Sequence, residues 1–250
     1  MKPSRRWPKI LAVIVALVAI FIFTAPASLL KDQVQQANLP VQVAGYQGRL
    51  LNGQVKTIFV EGINYSNLSW RLKPLSMLSG EFSAFLTIDD EHADLEADVS
   101  FKDDTNWQIS ELNGRLALAH VAKIAPALNI TKPSGDIVFN NLASALENSK
   151  FSGSTGMVEW QDANININGQ NLLLGLIEGQ LSDDGDYLYL DFNGQESIQP
   201  AGQIKLSPQG SFELALTINP DRLPANLSWL SSMGKTEATG RLSIDLKGRL

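Results

Sequence analysis

Two side chains in the 250 residues can act as a base near neutral pH, His92 and His120. Base catalysis needs a reacting group within hydrogen-bond reach and a partner that orients the imidazole. His92 stands at an acidic lead-in to a strand pattern and His120 at a helix-like start, with no such motif around either, so both are read as surface or helix-end histidines. There is no Gly-x-Ser-x-Gly elbow, phosphate loop, His-Glu-x-x-His or dinucleotide fingerprint. Cysteine is absent, which removes disulfides, thiolate nucleophiles and Cys-ligated metals. The expectation is a protein that is not an enzyme and takes no cofactor.

The carboxylates are more numerous. Asp183, Asp184 and Asp186 come nearest to a calcium loop, but the spacing and terminal Glu of an EF-hand are missing and a solvated hairpin turn is expected. Asp89, Asp90, Glu91, Asp94, Glu96 and Asp98 form the densest acidic run, read as a wet strand face. Four of the 20 Lys and Arg precede residue 31, leaving 16 against 26 acids and a balance of −10 over residues 31–250. No basic stripe suits a phosphate backbone, so nucleic acid is not an expected partner. The one basic pair singled out is Arg71 and Lys73, in "NLSWRLKPLSMLSGEF" at 67–82. These two are the candidate contacts to an acidic partner or a lipid headgroup.

The elements that position such residues read as strands. Apolar side chains recur at every second position: Phe82, Ala84, Leu86 and Ile88; Leu95, Ala97, Val99 and Phe101; Leu188, Leu190 and Phe192; Phe212, Leu214, Leu216 and Ile218. Trp70 and Leu72 share the parity of a buried face, and Arg71 and Lys73 that of a wet one. Turn signals separate the runs: Asn52-Gly53, Asn113-Gly114, Asn193-Gly194, the "DDGD" at 183–186 and the "SPQG" at 207–210. Helical patterns are few, one at 119–128 and one at 221–233, where Asn219 can cap and Pro220 can take the first turn. The pattern predicts an all-β antiparallel meander with two short helical connections. Gly-Arg-Leu at Gly48, Gly114, Gly240 and Gly248 has no fixed period and is read as a turn glycine before an outward Arg. Asn-Leu-Ser-Trp, present at 67–70 and 226–229, is read as coincidence or distant duplication, the former favoured.

Ahead of the strands, residues 10–30 hold 21 positions without a charge, enough for about 31 Å of helix, a bilayer core. Ala25-Pro26-Ala27 also resembles a signal-peptide cleavage pattern, but the apolar stretch continues past it and an uncleaved anchor is expected. Lys2, Arg5, Arg6 and Lys9 precede the run, and the positive-inside bias puts them in the cytoplasm. The expected organisation is therefore a cytoplasmic tail at 1–9, a transmembrane anchor at 10–30 and an exported β-rich domain at 31–250.

"LPVQVAGYQGRLLNGQV" at 39–55 followed by "LSWRLKPLSMLSGEF" at 68–82 resembles the N protein family of the bacterial type II secretion system. Gly48, Gly53, Trp70, Leu72, Pro74, Leu75 and Gly80 carry the resemblance. It implies a single-pass bacterial inner-membrane protein with a periplasmic β domain, an accessory role in protein export across the outer membrane, and contacts with other secretion-machinery subunits and with inner-membrane lipid. The Trp-x-Leu-x-Pro pattern is also similar to AsmA-like envelope proteins, which implies a long curved antiparallel sheet and, as an alternative function, a lipid-binding envelope module with bound lipid.

Overall fold

The computed structural model describes residues 24–29, 41–60, 63–118, 130–167, 169–232 and 234–249. The chain falls into two compact units, divided between Asp90 and Glu91. In the first, strands β1 (Val41–Gly48), β2 (Asn52–Val60), β3 (Ile63–Leu72) and β4 (Phe82–Asp89) pair antiparallel in chain order. Their alternation is the cause: Val55, Trp70, Leu72 and Ala84 are buried on one face, while Arg71 and Lys73 point into solvent, as the parity predicts. A short 3-10 helix, Ser76–Ser79, joins β3 to β4. Gly80 closes it at φ 77°, a left-handed conformation that glycine adopts without steric cost.

The second unit continues the antiparallel pattern through β5 (Ala93–Asp103), β6 (Asn106–Ala117), β7 (Ile130–Glu147), β8 (Lys150–Ile167), β9 (Gln170–Asp183), β10 (Leu188–Gly194), β11 (Ala201–Leu206) and β12 (Ser211–Ile218). The last strand, β14 (Leu242–Arg249), pairs with β12 along its length, and the two-residue β13 (Lys235–Thr236) covers only Ser243 and Leu242. The protein is all-β in its described residues, with 3-10 turns rather than α-helices as connections. Ala225–Ser232, one of these turns, lays Leu227 and Leu230 against Ile218, Leu242, Ile244, Leu172 and Leu174 to form the main buried cluster. Asn219 caps the preceding turn, Pro220–Arg222, by accepting from the Asp221 amide at 3.1 Å, with Pro at the first position as expected.

Three of the sequence readings take a different form. Asn52-Gly53 is not the β1–β2 turn: Arg49 and Asn52 exchange backbone hydrogen bonds of 3.0 and 3.1 Å, so Leu50 and Leu51 are the two loop residues. Asn113-Gly114 lies inside β6, where Gly114 (φ 122°) marks a register shift and a Cβ would run into the Asp94 carbonyl. The Arg of the third Gly-Arg-Leu turns inward: the Arg241 guanidinium donates to Thr217 Oγ1 at 3.2 Å and to the carbonyls of Thr217 and Gln199. By contrast "DDGD" and "SPQG" are the β9–β10 and β11–β12 turns.

Among the described residues no helix is long and apolar enough to cross a membrane. Residues 1–23, with Lys2, Arg5, Arg6, Lys9 and most of the apolar run, lie outside them, as does the helix-like 119–128 segment.

Candidate cleft at the end of the first unit

Because β1 to β4 alternate in direction, the β1–β2 turn and the β3–β4 connection fall at the same end of the first unit. Trp70, on β3 opposite Gly53, is 7% exposed and donates its indole N–H to the Leu50 carbonyl at 2.8 Å. A Cβ on Gly53 would lie 2.5 Å from Trp70 Cζ2 and within 2.9 Å of the Arg49 and Gln47 carbonyl oxygens, so the glycine is required by the close approach of the indole and of the facing hairpin backbone. Two residues on, the Leu72 amide donates to the Leu51 carbonyl at 2.8 Å. The two segments that carry the family resemblance are thereby locked together.

Between them opens a cleft of about 500 Å³, lined by Gly48, Arg49, Leu51 and Asn52 from the hairpin and by Arg71, Leu72 and Pro74 from the end of β3. Two arginines and an asparagine are its polar lining residues among those described. Arginines in such a lining can hold an oxyanion through planar, charge-assisted donors. Arg71 was legible from the sequence. Arg49 was missed, read there only as an outward Arg after a turn glycine; its place in the same glycine-bounded segment that accompanies the Trp motif was the available signal. Lys73 stands just beyond the cleft, its backbone amide donating to the Ser83 carbonyl at 2.9 Å.

The chain enters this end as well. Leu50 donates its amide to the Ala25 carbonyl at 2.8 Å, Pro26 bridges to Arg49, and Ala25 and Ala27 are 3% and 1% exposed. The described part of the apolar run is thus packed onto the hairpin.

The other residues singled out lie elsewhere. His92 is half-buried, its carbonyl accepting from the Ala117 amide at 2.7 Å, and His120 lies outside the described residues. Asp94 and Glu96 are exposed along β5. Asp183 and Asp184 are used by their own turn and its neighbours: Asp183 accepts from the Gly185 amide and, across on β8, from that of Ser154, and Asp184 from the amides of Asp186 and Tyr187 and from the Tyr189 hydroxyl at 2.7 Å. No group of three or more potential metal ligands occurs among the described residues.

The Asp184–Tyr189 bond has a measurable signature. Donation to Asp184 pushes the Tyr189 phenol up to about 12, and holds the Asp184 carboxyl below its usual value. The phenol's contribution to stability is complete below the ordinary tyrosine value of about 10 and is lost as pH rises through about 12. That of Asp184 is present above the ordinary carboxylate range and is lost as pH falls through its lowered value. Ultraviolet titration is expected to show one of the four tyrosines ionising near 12, and Asp184→Ala to return it toward about 10. An unchanged titration in the variant would discount the bond.

No curated protein and no solved structure matches the chain. A family model does, that of type II secretion system (T2SS) protein N, over residues 40–245. This span includes both segments that meet at the cleft, and the chain belongs to the type II secretion system protein N family.

Proposed function

We propose that the chain is a non-enzymatic inner-membrane component of the type II secretion system, with residues 1–9 cytoplasmic, the apolar run from residue 10 up to the residues packed on the hairpin as its anchor, and the β-rich remainder acting in the periplasm on other machinery subunits. Family membership supports the secretion role. The observation that carries the reading as a contact-making component is the cleft itself: the segments that mark the family meet around Arg49 and Arg71. The charge asymmetry around the apolar run supports the orientation. A surface suited to a protein partner exists in the second unit, where β14 from Ile244 to Arg249 has β12 on one side and no strand on the other among the described residues. An open edge of this kind accepts an added strand through backbone hydrogen bonds.

Crosslinking in intact membranes, with identification of the captured proteins, is expected to recover secretion-machinery subunits, and deletion of the gene to impair release of type II substrates. Recovery of no machinery subunit together with normal release would defeat the proposal.

One observation favours a second reading, lipid binding by the second unit. Leu95, Val99, Leu188, Leu190, Leu214 and Leu216 share apolar faces yet are only half-buried. A face of this kind, sealed at one end by the Ala225–Ser232 turn, suits an acyl chain.

A further inference from the structure

We propose that the cleft end of the first unit rests in the lipid interface of the bilayer that holds the apolar run, with Leu29, Leu75 and Met77 entering the acyl boundary and Arg49, Arg71 and Lys73 meeting headgroup phosphates. This rests on the anchored topology proposed above and adds a second, reversible contact between the folded unit and the lipid surface.

Chain length is the first argument. Ala25 is already part of the folded unit, hydrogen-bonded to Leu50, so at most the 15 residues 10–24 remain for the apolar helix. At about 1.5 Å per residue they reach roughly 22 Å, short of a hydrocarbon core of about 30 Å. The shortfall draws whatever is packed on Ala25 toward the lipid. What is packed there is the hairpin turn and, joined to it through Leu51 and Leu72, the β3–β4 connection.

Exposure is the second argument. At this end Leu75 is 80% exposed, Leu29 49% and Met77 43%, an arrangement costly in water and suited to an interface. The connection also suits a drier medium, because both of its serine hydroxyls and the Gly80 amide that closes it are bonded within the chain. Ser76 Oγ donates to the Lys73 carbonyl at 2.7 Å, Ser79 Oγ to the Ser76 carbonyl at 2.7 Å, and the Gly80 amide to the Met77 carbonyl at 3.2 Å.

Charge is the third. Arg49, Arg71 and Lys73 cluster at this end, while Asp89 and Asp90 lie at the far end of β4. Among the described residues Glu81 is the acid at the near end, accepting from Ser83 Oγ at 3.2 Å. Cations beside exposed apolar side chains match the two layers of an anionic membrane surface, phosphate above and acyl chain below.

The absence of cysteine allows a direct test by spin labelling. Full-length protein carrying Leu75→Cys, Met77→Cys, Asp89→Cys or Leu17→Cys is placed in nanodiscs of phosphatidylethanolamine and phosphatidylglycerol. The ratio of nitroxide collisions with oxygen to those with a water-soluble nickel chelate is then read at each site. The labels at 75 and 77 are expected to give a ratio several-fold above that at 89, approaching that at 17. Adding Arg49→Gln and Arg71→Gln, or omitting phosphatidylglycerol, should lower it.

Ratios at 75 and 77 equal to that at 89, with 17 in lipid, would overturn the docking and leave the anchor standing. A water-like ratio at 17 would overturn the anchored topology and the docking with it. Shielding of 75 and 77 from both reagents would assign this end to a protein partner instead. Insensitivity to phosphatidylglycerol with displacement by inorganic phosphate would assign the arginines to a free anion.

Discussion

Trp70→Ala is expected to destabilise the first unit by about 3–5 kcal/mol, the usual cost of emptying a large aromatic site. The indole fills the space above Gly53 and ties β3 to the Leu50 carbonyl, and it sits between the two segments that form the cleft. Against a total stability of about 5–15 kcal/mol, the loss is enough to open this end. Hydrogen exchange is the appropriate measurement, because it reports local opening. The amides of Leu50 and Leu72, which donate to Ala25 and Leu51, are expected to lose protection, while those of β12 and β14 keep theirs. Trp70→Phe retains a ring but leaves the Leu50 carbonyl without its donor, and should cost less, about 1–3 kcal/mol. Unchanged protection at Leu50 and Leu72 in Trp70→Ala would mean that the hairpin and β3 are held together by something other than this side chain.

Leu227→Ala is the counterpart in the second unit, expected to cost about 2–5 kcal/mol. Leu227 is 1% exposed and belongs to the turn that covers Ile218, Leu242 and Ile244. Its removal leaves a cavity under a segment held by few other contacts, so a drop in the urea midpoint is expected with little change in slope. The same region separates the secretion-only reading from the lipid reading. If the half-buried leucines of β10 and β12 form a groove, wild-type protein released from membranes retains lipid by native mass spectrometry, and Leu227→Ala changes how much is held. A core closed by the chain itself retains none. A midpoint unaltered by the substitution would show that the Ala225–Ser232 turn is not what seals this end.

The strand class was legible because period-two alternation is a local property: Phe82 to Ile88, Leu95 to Phe101 and Phe212 to Ile218 each lie in a strand. So was the wet-face parity of Arg71 and Lys73 beside buried Trp70 and Leu72. The long strands β7 and β8, 18 residues each, were harder to read. Register shifts at Asn140–Ala143 and Trp160–Ala163 break the alternation. Asn113-Gly114 looked like a turn for the same reason: a glycine needed for close approach to Asp94 and one needed for a hairpin are the same letter.

The cleft shows a different limit. Residues 48–53 and 70–74 each stand out in the sequence, but their convergence is made by Trp70 reaching across to Leu50, a contact between residues 20 apart that no local pattern contains. Arg49 became part of a site only through that contact.

The four letters Asn-Leu-Ser-Trp divide the two kinds of information most plainly. At 67–70 they lie in β3, paired with β2 and β4, and at 226–229 they lie in a 3-10 turn over the apolar cluster. Sequence alone determined that each copy carries a Leu and a Trp seeking burial, and it determined the β-rich class through side-chain alternation. Whether those residues form a strand or a turn was decided by the tertiary structure. The difference in local preference over four residues is small beside the burial of one large side chain, and the surface available to bury it differs at the two places.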